Sequence, residues 1–263
     1  MSRKSSRHSS PLQNKQNDRP LTSLLDQMKD GVEFESLVTH KTFTVDIAVE
    51  IRRSLEEINA HSKRPAICYL ANVINQNLHV STAIDDTDDL PFSEMISTVP
   101  AHEKDLDIIL VTPGGSAEQV AKFVDKLRPR FDHITFILPY MAMSAGTIFS
   151  MSGNDVIMGP NSYIGPTDPQ VRNKNGEYVP AQALLALIQT IQERGEQLLA
   201  VGKKPLWSDI YIMQQLDGKD IGNALSASRY STELVEEYLY NYKFRDWSEH
   251  SDGRIVEDRE KRD

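Results

Sequence analysis

Cysteine and long apolar runs are scarce in this 263-residue sequence, and each scarcity excludes a class of protein. With Cys68 as the only cysteine, no disulfide can form within the chain, which excludes a disulfide-stapled secreted domain. No apolar stretch approaches the roughly 18 residues of a membrane helix. The basic N-terminus lacks the apolar segment of a secretory signal. These features predict a cytoplasmic protein without a membrane-spanning segment.

Ligand-binding patterns for phosphates and metals are also missing. The sequence contains no Walker loop and no G-x-G-x-x-G fingerprint. The acidic run at positions 85–89 matches no calcium-loop spacing, so we expect a solvated loop there. The chain is therefore predicted to use neither a cofactor nor a metal.

Positive charge is concentrated at the N-terminus. Residues 1–20 carry +4 in a chain of net charge −9, so the remainder carries −13 and is a poor partner for nucleic acid. This leader has almost no apolar content and is predicted to be disordered. We expect residues 21–245 to form a single α/β domain whose C-terminal third is helical, followed by a charged flexible tail at 246–263.

Short apolar runs alternate with amphipathic segments through the middle of the chain. This alternation predicts βα units and a largely parallel sheet. The predicted strands are 66–70, 107–111, 134–138, 155–158 and a further one at 162–165; the predicted helices before residue 160 are 44–61, 91–99, 117–127 and 144–152. A long helix is then predicted at 180–200, followed by two or three helices at about 207–216, 218–226 and 231–242.

Two neighbouring strands each end in an unusual turn. The strand at 107–111 leads into T-P-G-G-S at 112–116, and the strand at 134–138 leads towards A-M-S-A-G-T at 142–147. Parallel strands deliver such turns to one edge of a sheet, where backbone N–H groups could hold an oxyanion and a hydroxyl could attack. This pairing predicts an acyl-transfer site.

Each half of the pair has a simpler interpretation. Gly114 and Gly115 could serve only a tight turn between strand and helix. Ser144 could serve only as a helix cap. The small residues around Ser144 allow another part of the chain to approach closely, which a surface cap does not need, so the combination favours a reactive site.

Three motifs together resemble those of the Clp-protease/crotonase superfold: T-P-G-G at 112–115, A-M-S-A-G-T at 142–147 and S-Y-I-G-P-T-D-P-Q at 162–170. Within it the chain is most similar to the serine dehydrogenase proteinase family, relatives of signal peptide peptidase A, over about 65–171. The resemblance implies stacked β-β-α units, Ser144 as the nucleophile, an oxyanion hole built partly from Gly114 and Gly115, and self-association into a homo-oligomer.

A serine nucleophile needs a base, and the sequence leaves its identity open. Clp proteolytic subunits use a histidine about one β-unit after the serine, but 162–171 contains none and offers Asp168 instead. Signal peptide peptidases use a lysine; Lys174 is preferred here over Lys203 and Lys204, although all three could be solvated. Asp168 is predicted to bind substrate, although Asp is also a natural turn former.

The leading hypothesis is an ATP-independent, Clp-like serine peptidase acting on a peptide or protein. The alternative is an oligomeric scaffold or peptide-binding module of the same fold with reduced catalysis, since no histidine is suitably placed. A third interpretation is crotonase-like acyl-CoA chemistry with Asp168 as the carboxylate base.

Overall fold

A computed structural model of the chain describes residues 47–73, 81–172 and 178–257. The chain divides into two compact units, Met1–Ile58 and Asn59–Asp263. Only residues 47–58 of the first unit are described, and they belong to a helix, α1 (Ile47–Ser62). The predicted leader at 1–20 lies outside the described residues.

The second unit begins with strands and ends with helices, as the apolar pattern predicts. Its elements in chain order are β1 (Ala66–Leu70), a 3₁₀ turn (Asp86–Asp88), α2 (Asp89–Ser97), β2 (Asp105–Val111), α3 (Ala117–Leu127), β3 (His133–Leu138), β4 (Met141–Ala142), α4 (Ala145–Met151), β5 (Asp155–Met158), β6 (Tyr163–Ile164), β7 (Gln170–Arg172), β8 (Tyr178–Pro180), α5 (Ala181–Ala200), α6 (Trp207–Gln215), α7 (Gly218–Tyr238) and a π-helical turn (Leu239–Lys243).

The main sheet has the order β1-β2-β3-β5 and all of its pairs are parallel. On the inner strand β2, Leu106, Ile108 and Leu110 have no exposed surface. Because both faces of β2 are buried, its residues 108–111 form an unbroken apolar run. The predicted α/β class, with a parallel sheet and a helical C-terminal part, is confirmed. The strand predicted at 162–165 corresponds to β6, which pairs with β4 in a separate small sheet.

Helix α3 packs its apolar side onto the sheet. Ser116 caps its start by accepting the Gln119 N–H at 3.0 Å. Its buried face carries Phe123, whose ring stacks on Phe92 of α2 at 4.0 Å between centroids. Phe149 of α4 completes this aromatic group, with its centroid 5.7 Å from that of Phe123. The two helices that flank the glycine and serine turns are thereby fixed in one core.

The sequence predicts two or three helices after α5, and the described residues form two, α6 and α7, before the π-helical turn. In place of separate helices at 218–226 and 231–242, α7 runs without a break to Tyr238. The polar stretch between Ser226 and Ser231 suggested a break, yet it contains neither proline nor glycine to end a helix. Among the helices formed by the described residues, none has the length and apolarity needed to cross a bilayer.

The acidic run is more structured than the expected solvated loop. Asp85 caps the 3₁₀ turn, and the Asp88 carboxylate accepts the Tyr69 hydroxyl at 2.7 Å. Asp89 accepts Lys126 Nζ at 2.5 Å. These carboxylates therefore serve local structure, and within 47–73, 81–172 and 178–257 no group of side chains is arranged to hold a metal ion.

The segment predicted to be a flexible tail, from residue 246, has local structure as far as residue 257. Glu249 and Ile255 form an antiparallel bridge, and Val256 is buried. The Trp247 ring also contacts the His250 ring edge-on, at 4.9 Å.

Candidate active site

The glycine turn and the serine turn lie side by side. Thr112 and Ala142 form a parallel bridge beyond the ends of β2 and β3. The Thr112 N–H donates to the Met141 carbonyl at 2.9 Å, and the Met143 N–H donates to the Thr112 carbonyl at 3.1 Å. These two bonds bring residues 113–115 against residues 143–145.

Both glycines of the first turn are required by their surroundings. Gly114 has φ +102°, and a Cβ there would lie 2.7 Å from the Ser144 Cβ. Gly115 has φ +149°, and a Cβ there would lie 2.2 Å from the carbonyl oxygen of Ile84, which bridges to it. A side chain at either position would push the turn away from its neighbour, so the glycine pair serves close approach as well as tight turning.

Ser144 has a backbone conformation that non-glycine residues seldom adopt, with φ 50° and ψ −119°. It precedes α4 at the capping position, but its side chain makes no capping hydrogen bond. The capping interpretation of Ser144 therefore has no support in the structure. A strained serine between a strand and a helix is also how hydrolase nucleophiles are presented.

The small residues after Ser144 permit dense packing behind the turn. A Cβ on Gly146 would lie 2.3 Å from the Thr112 methyl carbon. The Thr147 hydroxyl lies 2.8 Å from the Ala142 carbonyl and 2.9 Å from the Gly165 carbonyl. The third motif, at 162–170, is thus tied to the base of the serine turn, which links all three motifs in space.

Three backbone amides surround the Ser144 turn, and they are not equivalent. The Gly114 N–H donates to the Thr112 hydroxyl at 3.1 Å. The N–H groups of Gly115 and Ala145 have no acceptor among the residues that the structure describes. Ala145 was missed by the sequence reasoning, although its position directly after the candidate nucleophile, at the start of a helix, is a usable signal.

A cavity of about 630 Å³ opens over these turns. Ser144, Gly115 and Ala145 all line it. The remaining walls include residues that no local motif indicates, because they come from distant elements: Ile84, Glu118, Ile148, Tyr178, Ala227 and Tyr230. The site can therefore hold a substrate group next to the serine.

The other predicted site residues are placed away from the serine or not described. The Asp168 carboxylate accepts the Gln182 N–H at 3.1 Å and so holds the first turn of α5, while its neighbours Pro169 and Gln170 line the cavity. Lys174 lies outside the described residues. Lys203 and Lys204 are exposed after α5. Of the described residues that line the cavity, none is lysine or histidine.

The parallel sheet with a strained serine turn packed on a glycine turn defines a Clp-like α/β fold. The chain belongs to the family of ClpP-like SDH-type serine proteinases, whose model matches residues 40–199, more than half of the sequence. This match confirms the resemblance found in the three motifs. The family is one of serine proteinases, which supports a peptidase.

Two curated relatives come from Methanocaldococcus jannaschii. Uncharacterized protein MJ0137 is 34% identical over 107 residues, covering 39% of this chain and 34% of the relative. Uncharacterized protein MJ1495 is 32% identical over 93 residues, covering 35% of this chain and 29% of the relative. The chain thus spans about a third of the length of the curated relatives that it matches.

Solved structures similar to this chain include two of the 1510-N membrane-bound stomatin-specific protease. A serine-to-alanine mutant is 19% identical with a TM-score of 0.34, covering 43% of this chain and 60% of that one. A lysine-to-alanine mutant in complex with a substrate peptide is 20% identical with a TM-score of 0.34, covering 49% and 58%.

Proposed function

We propose that this chain is a serine peptidase that works without ATP and uses Ser144 as its nucleophile. The observation that carries the proposal is the strained Ser144 turn, packed against Gly114 and opening into a cavity. A strained backbone conformation persists only where the surrounding structure holds it, and such conformations are concentrated at active sites and ligand-binding sites. The substrate in this proposal is a peptide or protein whose carbonyl carbon the Ser144 hydroxyl attacks.

The oxyanion of the tetrahedral intermediate would be held by backbone amides. Gly115 and Ala145 are the proposed donors, because their N–H groups have no other acceptor in the described part of the chain. Gly114 contributes mainly by its lack of a side chain, since its own N–H donates to Thr112. Preorganised donors of this kind typically contribute a factor of about 10²–10³ each to the rate.

The proposed general base is Lys174. An amine becomes a base at neutral pH when burial lowers its pKa, and Lys174 follows β7, whose first residue Gln170 lines the cavity. Asp168 is proposed to contribute to substrate binding by fixing the turn whose residues Pro169 and Gln170 form part of the wall.

A second candidate function is an oligomeric scaffold or peptide-binding module with reduced catalysis. It is favoured by one observation, that the described cavity residues include no lysine or histidine to activate Ser144. It predicts peptide binding in the cavity without turnover.

Labelling with a fluorophosphonate probe tests the nucleophile. We expect the wild-type chain to be labelled and Ser144→Ala to lose labelling completely. Ser231→Ala is the matched control, because Ser231 lines the same cavity and its hydroxyl is held by the Thr167 carbonyl at 3.2 Å. Labelling that persists in Ser144→Ala contradicts the proposal, and peptide turnover that disappears in that variant eliminates the scaffold.

We also propose that the protein acts in the cytoplasm as a homo-oligomer. The support for the homo-oligomer is the exposed apolar segment after α5, where Val201, Trp207 and Tyr211 are 67%, 77% and 58% exposed. Sedimentation velocity should show a smaller assembly for Trp207→Glu than for Leu90→Glu, a matched change at an exposed leucine of α2. Equal masses for the two variants would contradict a role for this segment in assembly.

A further inference from the structure

Glu118 places a carboxylate in the wall of the Ser144 cavity, close in sequence to the Gly115 amide. Its Oε2 accepts the Ser116 hydroxyl at 2.9 Å, and Ser116 Oγ in turn accepts the Gln119 N–H at 3.0 Å. The carboxylate is therefore hydrogen-bonded to the capping residue of α3, which directly follows Gly115 in the chain.

Within the described ranges, no lysine, arginine or histidine forms an ion pair with Glu118. Lys122, one helical turn further on, forms no ion pair with Glu118 in the described structure and contributes to lowering the pKa of the Asp89 carboxyl. Among the described residues, Glu118 is thus an exposed carboxylate at the cavity wall that has no cationic partner.

Tyr230 of α7 lines the same cavity, and the pKa of its phenol responds to the charges around it. Burial raises the pKa of its phenol, and the negative charges of Glu118, Asp125 and Glu237 raise that pKa further. A phenol resists ionisation beside carboxylates because a second negative charge would be repelled. The Glu118 charge therefore acts on the Tyr230 phenol, which lines the same cavity.

There is room beyond Glu118 for an extended side chain. A second cavity of about 680 Å³ shares Glu118, Ala227 and Tyr230 with the first. Arg229 also lines this second cavity, and its Nε already pairs with Glu233 Oε1 at 2.6 Å. Among the described residues, a long side chain entering from Ser144 would therefore pass apolar surface and meet Glu118, an acid without a cationic partner, which suits the apolar stem and charged end of lysine or arginine.

We propose that Glu118 makes this site selective for substrates with a lysine or arginine side chain next to the bond that Ser144 attacks. The inference rests on the proposed peptidase function and names its substrate class. The apolar stem would lie against Ala117 and Tyr230, and the cationic end would pair with the Glu118 carboxylate.

Two peptidyl phosphonate probes that differ only in one side chain test this selectivity. One carries a guanidinium group and the other a neutral group of similar size, and the labelling rates of the full chain are compared by intact mass. We expect the cationic probe to react about fivefold faster, the upper end of what an exposed ion pair contributes. This ratio should fall towards one in Glu118→Gln, invert in Glu118→Lys and decrease with added salt.

Glu94→Gln is the matched control, because it makes the same charge change on the exposed face of α2, outside the cavity, and should retain the wild-type ratio. If the wild-type chain reacts with the neutral probe at the same rate as with the cationic one, the selectivity is wrong while the peptidase proposal stands. A fivefold ratio that survives in Glu118→Gln also overturns the role of Glu118. If neither probe labels the chain, the peptidase proposal itself fails.

Discussion

Two parts of the chain differ in the fraction of apolar side chains that they bury. The sheet region comprises β1 to β5 with α2, α3 and α4, and the helical region comprises α5, α6 and the start of α7. Phe123, Phe136 and Phe149 of the sheet region are completely buried, and they belong to one large core that spans β2, α3, β3 and α4. In α5, by contrast, only Ala181 and Ile191 of twenty residues are buried. The sheet region is therefore held by its own core, whereas the helical region leaves much apolar surface uncovered.

The sheet region, with its large core, carries the residue that is proposed to be the nucleophile. The strained Ser144 turn lies on the large core, which can hold it in position. Helix α7 joins the two regions, because Leu234 and Tyr238 pack in the large core while Ala224 packs in a small cluster with Val171 and Ala181. The proposed nucleophile, Ser144, therefore lies in the sheet region, whereas part of the cavity wall belongs to the helical region, where less apolar surface is buried.

Truncating one apolar side chain in each region is the strongest test of this comparison. Phe123→Ala removes a buried ring that contacts Phe92 and Phe149, and it should lower the free energy of unfolding by about 3–5 kcal/mol. Leu187→Ala on α5 removes a side chain that is 40% exposed and should cost about 0.5 kcal/mol. Urea unfolding measures both. Similar losses for the two variants would show that α5 is as well packed as the sheet region.

Adding a methyl group to one glycine in each region should give effects of opposite sign. Gly115→Ala forces a Cβ to within 2.2 Å of the Ile84 carbonyl at φ +149°, and should destabilise the fold by about 2–4 kcal/mol. Gly195→Ala lies inside α5 with no atom within 4 Å of the new methyl, and should stabilise by about 0.5–1 kcal/mol. Thermal unfolding measures the pair, and destabilisation by both would mean that α5 is more crowded than its exposure indicates.

The contrast also explains which features the sequence could predict. Strands β1, β2, β3 and β5 and helix α3 were predicted within a few residues, because their apolar patterns reflect burial in the parallel sheet. The helical region was predicted less well. Helix α7 was divided in two because its halves pack on different cores, which leaves a polar stretch in the middle that resembles a boundary.

The candidate site was predictable only in its local parts. The adjacency of Gly114 and Ser144 follows from two consecutive parallel strands. The Gly114 N–H donates to the Thr112 hydroxyl, and the Ala145 N–H has no acceptor in the described part of the chain. Both facts depend on side-chain and backbone directions that no residue pattern records. The contribution of Tyr230 depends on how α7 returns over the sheet, which is a tertiary contact without a local signal.

The smallest expected effect concerns pH. Lys126 and then Gln119 lower the pKa of the Asp89 carboxyl by donating hydrogen bonds to its ionised form. Since the pKa in the folded state lies below its value in the unfolded chain, the contribution to stability is fully present above about pH 4 and is lost as the pH falls through the lowered pKa. Asp89→Asn should therefore be less stable than the wild type at pH 7, with the difference closing towards pH 2.

Asp217 provides the matched control in the helical region. Its carboxylate caps α7 by accepting the Lys219 N–H at 2.8 Å, and asparagine is an equally good cap, so Asp217→Asn should unfold with the wild type at both pH values. Unfolding curves at pH 7 and pH 2 measure both variants. If Asp89→Asn is less stable than the wild type by the same amount at pH 7 and at pH 2, the charge of the carboxylate is not the cause. The lost contact then acts through hydrogen-bond geometry.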